Sequence, residues 1–269
     1  MPLIHPTALV DSRAELGVGV SVGPYSIIEG RVTIGAETQI GPHVVIRDFT
    51  KIGTRVRIYQ FASIGEVPQD LKFRGEESTL LIGDDNVIRE FTTLHRGTAG
   101  GGGVTRIGNG NLLMAYSHVA HDCHVGNGVI MSNAATLAGH IIVQDHAILG
   151  GLSAVHQFCK IGEHAFIGGC SAVARDVPPY CMAVGNRAKL VGLNLVGLKR
   201  SGFDSASLEA LKAAYNLLFL SELNMKEAMA RVRQELPDVP QIQNLLRFIE
   251  TSERGLAPVD VRENRSHRG

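Results

Sequence analysis

The residues best equipped for chemistry are histidines gathered in one stretch: His118, His121, His124, His140, His146 and His156. His121 is followed by Asp122, while Gly139-His140 and Gln157-Phe158 stand eighteen and thirty-six residues further on. A histidine beside a carboxylate can take the proton of a hydroxyl as that oxygen attacks an acyl group, a step typically worth about 10²–10⁴ in rate. A glycine can offer an unobstructed backbone N–H to the oxyanion that develops. Together these groups point to acyl transfer. With no strong nucleophile among them, direct transfer through a ternary complex is more natural than an acyl-enzyme. Two other readings fit the same residues: histidines on solvated turns that do no chemistry, and metal binding by His118, His121 and His124. Their three-residue spacing on turning backbone need not converge on one tetrahedral site.

The chain that must position these groups is periodic. Aliphatic residues recur every six positions from Ile4, Val10, Leu16 and Val22 through Ile64, resume at Ile82, Ile88 and Leu94, slip by one residue, and run again from Ile107 through Val173. Neither a helix nor a long alternating strand has this period, but short strands separated by turns do, each sending one aliphatic side chain inward. Glycine often follows the aliphatic residue, as in Ile34-Gly35, Ile52-Gly53 and Val125-Gly126, which suggests that backbone freedom is needed there. The pattern resembles the hexapeptide-repeat, left-handed parallel β-helix proteins, whose coils hold eighteen residues; the handedness is implied by the resemblance alone. Residues n and n+18 then stack at about 4.8 Å. His121-Asp122, Gly139-His140 and Gln157-Phe158 fall in one column.

The fold class expected is therefore mainly β, a left-handed parallel β-helix over residues 1–185 in nine or ten coils, with a C-terminal α-helical domain over 186–254. Loops are expected near 65–81, where the phase positions are Asp70 and Glu76, and near 95–106, which contains Gly100-Gly101-Gly102-Gly103. Past Pro178-Pro179 the spacing becomes helical and predicts three helices, with Asp204, Asn224 and Asp238 as caps, covering the open end of the solenoid. The polar segment 255–269 is expected to lack fixed structure.

Composition narrows the function classes. The 269 residues include 31 glycines, a turn-rich balance, and carry 26 basic against 26 acidic side chains, so no global field attracts nucleic acid or an anionic membrane. No apolar run is long enough for a membrane span and no basic-then-apolar leader opens the chain, so a cytoplasmic location is expected. Four cysteines without a CxxC pair give neither a disulfide framework nor a zinc signature. Cys123 and Cys159 share one repeat slot and read as core filler.

Several segments resemble the UDP-N-acetylglucosamine O-acyltransferase family of lipid A synthesis: Ile58 to Glu66, Gln69-Asp70-Leu71-Lys72, Leu94-His95-Arg96-Gly97-Thr98, His118 to Cys123, Ala154 to Phe158, and Asn194 to Arg200. The resemblance implies transfer of an (R)-3-hydroxyacyl chain from acyl carrier protein to the glucosamine 3-hydroxyl of UDP-N-acetylglucosamine, without metal or cofactor. It makes His121 the general base, Asp122 its orienting partner and Gly139 the oxyanion donor, with His118 assisting. It assigns Asp70, Lys72, His140, His156, Gln157, Asn194 and Arg200 to nucleotide-sugar contacts, and Gly169 to the end of the acyl groove. Members are homotrimers with active sites between subunits, so the loop of Asp70 and Lys72 is expected to serve a neighbour's His121. Ser201 stands where many relatives have a second arginine. The related N-acyltransferases carry an extra N-terminal uridine-binding domain, whereas here the hexapeptides begin at Ile4. A non-catalytic trimeric solenoid is the reading of a different class.

Overall fold

In a computed structural model, described over residues 1–260, the chain winds as a left-handed parallel β-helix whose short strands stack into three sheets. The first sheet runs from Leu3–Ile4 to Phe166–Ile167 and continues into Cys181–Val184 and Lys189–Leu193. The second runs from Leu9–Val10 to Ala172–Val173, and the third from Glu15–Leu16 to Lys160–Ile161. Pairing confirms the eighteen-residue coil: Val22 pairs with Ile40, Ile28 with Ile46, and Val119 with Leu137. The repeating aliphatic residue fills the axis, and from Val22 to Val173 each is almost wholly buried. At the open first coil Ile4 remains 46% exposed because no coil lies beneath it.

Backbone freedom is needed at a different place from the one the glycines suggested. Gly35, Gly53 and Gly126 do not adopt positive φ; the left-handed residue comes third after the aliphatic one, as at Glu37, Arg55 and His146. The glycines instead sit where successive coils touch, since a Cβ on Gly35 would lie 2.5 Å from the backbone of Gly53. Close approach, not torsional freedom, selects them. At the corner between the first and second sheets the left-handed residues Tyr25, His43, Phe61, Phe91 and Tyr116 stack face to face at 4.9–5.2 Å. Each such ring pair can contribute about 0.5–1.5 kcal/mol beyond its area burial, which offsets part of the torsional strain.

Both loops leave from the corner between the second and third sheets. The first spans 67–78, between strands Ser63–Glu66 and Thr79–Ile82, and the second spans 96–103, between Thr93–His95 and Val104–Ile107. Both are narrower than expected because their ends continue the strands. Coil register absorbs them: Ile52 pairs with Ile82, and Ile82 with Ile107. Val125 then follows Ile107 at the regular spacing.

The far end closes in two steps. Lys189–Leu193 pairs antiparallel with Cys181–Val184, ending the first sheet, and Leu256 and Val259 bridge to Asp176 and Leu190. Part of the segment expected to lack structure therefore packs on the last coil; residues 261–269 of that expectation lie outside the described residues. Among the described residues four α-helices follow the solenoid instead of three, α1 (Leu195–Arg200), α2 (Ser205–Tyr215), α3 (Met225–Glu235) and α4 (Pro240–Glu250), with a π-helical stretch over Asn216–Leu220 extending α2. The first is too short to show an apolar period. Asp204 caps α2 and Asn224 makes a capping box with Glu227 on α3. Asp238 is not a cap: α4 starts on Val239 with Pro240 in its first turn, and Asp238 accepts from Gln243 at 2.7 Å. Asn244 fastens α4 to the coils through Glu163 at 2.6 Å and the buried Tyr180 hydroxyl at 3.0 Å.

Candidate active site

The clustered histidines divide among different surfaces. His118 stands on the second sheet and His124 on the third, while His146 stacks on His164 at another corner. His121 and His140 share the corner from which both loops leave. There Val119 is the axial residue, so Asp122 takes the left-handed position, as His140 and Phe158 do one and two coils later. The predicted column forms: the His140 N–H donates to the His121 carbonyl at 3.1 Å, and the Phe158 N–H to the Gly139 carbonyl at 3.2 Å. Phe158 stacks on His140 at 4.5 Å, and His140 meets His121 edge-on at 5.1 Å.

Asp122 is buried, its side chain only 1% exposed beside the 14% of His121. Its Oδ2 accepts from His121 Nδ1 at 2.8 Å and from the Thr98 hydroxyl at 2.6 Å, and its Oδ1 accepts from the Thr98 N–H at 2.8 Å. With Nδ1 donating to the carboxylate, Nε2 carries the lone pair that a base requires. The ring lies against Gly139, where a Cβ would stand 2.6 Å from His121 Cε1. The Gly139 N–H donates to no other described residue.

Behind the pair, His118 Nδ1 shares a 2.7 Å hydrogen bond with Thr93 Oγ1, and His95 packs edge-on to His118 at 4.9 Å. Burial is the main force holding His118 below the ordinary histidine range, with the nearby His121 adding to it. The fully enclosed His95 is pushed down to about 4, first by burial and then by His118. Burial also lowers His140, while Asp122 opposes the shift. Burial thus disfavours positive charge on the imidazoles around His121, which suits a site where a neutral ring accepts a proton.

Asp70 and Lys72 occupy the first loop, where Asp70 Oδ1 accepts the Lys72 N–H at 2.9 Å. Both act electrostatically on His140 of their own chain. Within one chain, the loop and His121 leave the same corner of the solenoid. His156 and Gln157 are exposed beside the column, the His156 ring donating to the Gln157 carbonyl at 3.1 Å. Asn194 and Arg200 do not join it. Asn194 caps α1 and donates to the His164 carbonyl at 3.0 Å, at the corner between the third and first sheets, and Arg200 is exposed in the last turn of α1. Gly169 shares a hexapeptide slot with His121 but not a column, since forty-eight residues is not a whole number of coils; it lies at the corner between the first and second sheets.

His118, His121 and His124 do not converge on a metal. Among the described residues, His121, Asp122 and His140 bring ligand atoms within 4.8 Å. Asp122 already accepts three hydrogen bonds there, so a cation would have to displace the donors that define the site. A cavity of about 1030 Å³ lies elsewhere, over the third sheet beneath α4, lined by Leu81, Arg106, His124, Ile142 and Asn244. It contains none of the column residues, and among the described residues the column is where His121, a buried carboxylate and the Gly139 N–H come together. Cys123 and Cys159 are buried, as their repeat slot indicated, and burial pushes their thiols up to about 12 and about 11.

Sequence reasoning missed Thr98, Thr93 and His95, which support the column from one coil below. The loop broke the eighteen-residue count, and only a coil of twenty-five residues, as in Thr93 paired with His118, brings them into line.

Comparison with known proteins follows the same division of the chain. Residues 176–257 match the family model described as UDP-N-acetylglucosamine O-acyltransferase, domain 2, and residues 13–48 and 105–139 match that of the bacterial transferase hexapeptide. An acyl-[acyl-carrier-protein]–UDP-N-acetylglucosamine O-acyltransferase of Myxococcus xanthus is 56% identical over 256 residues, covering 95% of this chain and 99% of its own length. One from Thermodesulfovibrio yellowstonii is 51% identical, over 94% of this chain and 98% of its own. The crystal structure of UDP-N-acetylglucosamine O-acyltransferase from Moraxella catarrhalis superposes with a TM-score of 0.92 at 47% identity, over 94% of this chain and 99% of that one.

Proposed function

Because the chain belongs to the acyl-[acyl-carrier-protein]–UDP-N-acetylglucosamine O-acyltransferase family, we propose that its corner column carries out that acyl transfer with His121 as general base. The protein is an acyltransferase of lipid A biosynthesis, its donor borne by acyl carrier protein and its acceptor UDP-N-acetylglucosamine. His121 Nε2 takes the proton of the sugar 3-hydroxyl as that oxygen forms a bond to the thioester carbonyl carbon. The carbonyl oxygen becomes an oxyanion facing the Gly139 N–H. Collapse breaks the carbon–sulfur bond, and the departing thiolate receives the proton from His121. The base is thus restored and the carrier protein leaves as its free thiol, without a covalent enzyme intermediate.

The observation that carries this reading is the His121–Asp122 hydrogen bond of 2.8 Å, with the His121 ring packed against Gly139, whose N–H donates to no described residue. Asp70 and Lys72 reach the acceptor from the first loop, Lys72 as a mobile point charge for a phosphate, and His118, His140, His156 and Gln157 line its approach. Asn194 and Arg200, at a different corner, complete the nucleotide site only when a second copy brings them to His121. That need supports a homotrimer with sites between subunits, in which the neighbour supplies α1 and not the Asp70 loop. Lys199 and Arg200 form an exposed basic end that suits an acidic carrier protein even though Ser201 adds no charge.

Gly169 is exposed, its φ is not positive, and a Cβ there would meet only the Gly151 carbonyl at 3.4 Å. Backbone geometry therefore does not demand glycine, which favours an open acyl groove and a long (R)-3-hydroxyacyl chain. The test is an assay of purified protein with UDP-N-acetylglucosamine and 3-hydroxyacyl carrier proteins of graded length, the product identified as the 3-O-ester. An N-acyl product from an amino-sugar acceptor, with none from the ordinary sugar, would overturn the acceptor assignment.

A further inference from the structure

The second loop does more than interrupt the repeat. Thr98 is buried, at 6% exposure, and both of its polar groups point at one carboxylate: its N–H reaches Asp122 Oδ1 at 2.8 Å and its hydroxyl reaches Oδ2 at 2.6 Å. The Gly101 N–H donates to Thr98 Oγ1 at 3.2 Å, so the hydroxyl proton is left to Asp122. Gly101 closes over the same group, and a Cβ there would fall on the carboxyl carbon, whereas one on neighbouring Gly100 would meet nothing. From the other side Asp122 is fixed by its own N–H, which donates to Thr105 Oγ1 at 2.8 Å. The loop is tied to the substrate loop as well, through the Ala99 N–H and Glu76 at 3.2 Å.

We propose that Thr98 is a positioning residue of the acyl transfer: its paired hydrogen bonds fix the Asp122 carboxylate so that His121 is held as the Nδ1–H tautomer with Nε2 toward the acceptor hydroxyl. The inference rests on His121 being the base. A carboxylate with two free oxygens can rotate about its last bond, and His121 would then lose the acceptor that selects its tautomer. Thr98 removes that rotation by occupying both oxygens. Replacing the hydroxyl with a methyl group of the same shape leaves the loop sterically unchanged and opens Oδ2 to rotation.

The test compares kcat and KM of the full chain for Thr98→Val, Thr98→Ser, Asp122→Asn and the Thr98→Val, Asp122→Asn double variant. Thr98→Val should lower kcat roughly ten- to a hundredfold, the range for a hydrogen bond to a charged group, with both KM values within about twofold. Thr98→Ser, which keeps the hydroxyl, should restore kcat to within about threefold of wild type. Without the carboxylate there is little left to position, so Thr98→Val should cost less than about twofold in the Asp122→Asn background. Wild-type kcat in Thr98→Val, or the same fold loss in both backgrounds, would overturn the proposal and reduce Thr98 to a loop cap. If Thr98→Val fails to fold, Thr98→Ala replaces it in the same cycle. A wild-type kcat in His121→Ala would instead defeat the base assignment on which the proposal rests. An inactive His121→Ala beside a fully active Thr98→Val defeats this proposal alone.

Discussion

The imidazole of His121 lies against the backbone of Gly139 one coil further on, close enough that a single added carbon would stand 2.6 Å from Cε1 and 2.8 Å from Nε2. The base and the open N–H are therefore one packed unit. Gly139→Ala must push the ring off its position, although φ at this residue is compatible with alanine. The expected result is a kcat loss of at least about a hundredfold, since misplacement by an ångström costs that much, with the melting temperature little changed. Near-normal kcat in Gly139→Ala would mean that ring and glycine are not coupled.

Mixed oligomers test which groups cross between subunits. His121→Ala chains mixed with Arg200→Ala chains should recover activity, at about a quarter of sites for random head-to-tail pairing. His121→Ala mixed with Lys72→Ala should recover almost none, because His121 and Lys72 leave one corner of one chain. Recovery only in the second mixture, with subunit exchange verified, would reverse the assignment.

The acyl-length proposal predicts that the wild type prefers a donor near fourteen carbons over one of ten, four methylenes being worth roughly 3 kcal/mol at most at about 0.8 kcal/mol each. Gly169→Met should shift the kcat/KM preference toward shorter donors while the fold tolerates the change. A wild type that already prefers ten carbons, or a mutant that keeps its long-chain preference, would remove Gly169 from the groove.

Stability should fall earlier in acid than carboxylate titration alone would give. His95 is held at about 4 in the fold against an ordinary 6.5, and burial likewise lowers His118, His140 and His164. Between those values the unfolded chain binds protons that the folded chain refuses, so stability present above pH 6.5 is lost as pH falls toward 4. At 1.36 kcal/mol per pH unit, the displacement of His95 from 6.5 to about 4 predicts a loss on the order of 3 kcal/mol from this residue. Denaturant midpoints measured from pH 7.5 to 4.5 should decline, and His95→Gln should flatten the decline; equal steepness in the two proteins would contradict it.

Much of this arrangement is legible in the spacing of residues. Six-residue periodicity from Ile4 to Ile64 gives short strands separated by turns, and the eighteen-residue coil implied by the resemblance puts His121, Gly139 and Gln157 in one column. The arithmetic fails where the chain leaves the coil. Thr98 lies twenty-four residues before Asp122 and no fixed period links them, so the carboxylate's principal partner was hidden. Glycine misled for a related reason: Gly35 marks an inter-coil contact, while the left-handed turn falls to Glu37, whose residue type gives no sign of it. Asn194 and Arg200 were identified by resemblance, and in one chain they stand at another corner, where the column's repeat arithmetic does not reach; the proposed inter-subunit site is what would bring them to it.

The most direct test of the account is turnover by His121→Ala, measured with UDP-N-acetylglucosamine and a long 3-hydroxyacyl carrier protein, alongside nucleotide-sugar binding and oligomeric state. Loss of a general base predicts a fall of at least about a hundredfold in kcat, with binding and assembly retained. Turnover comparable to the wild type would contradict the mechanism at its centre.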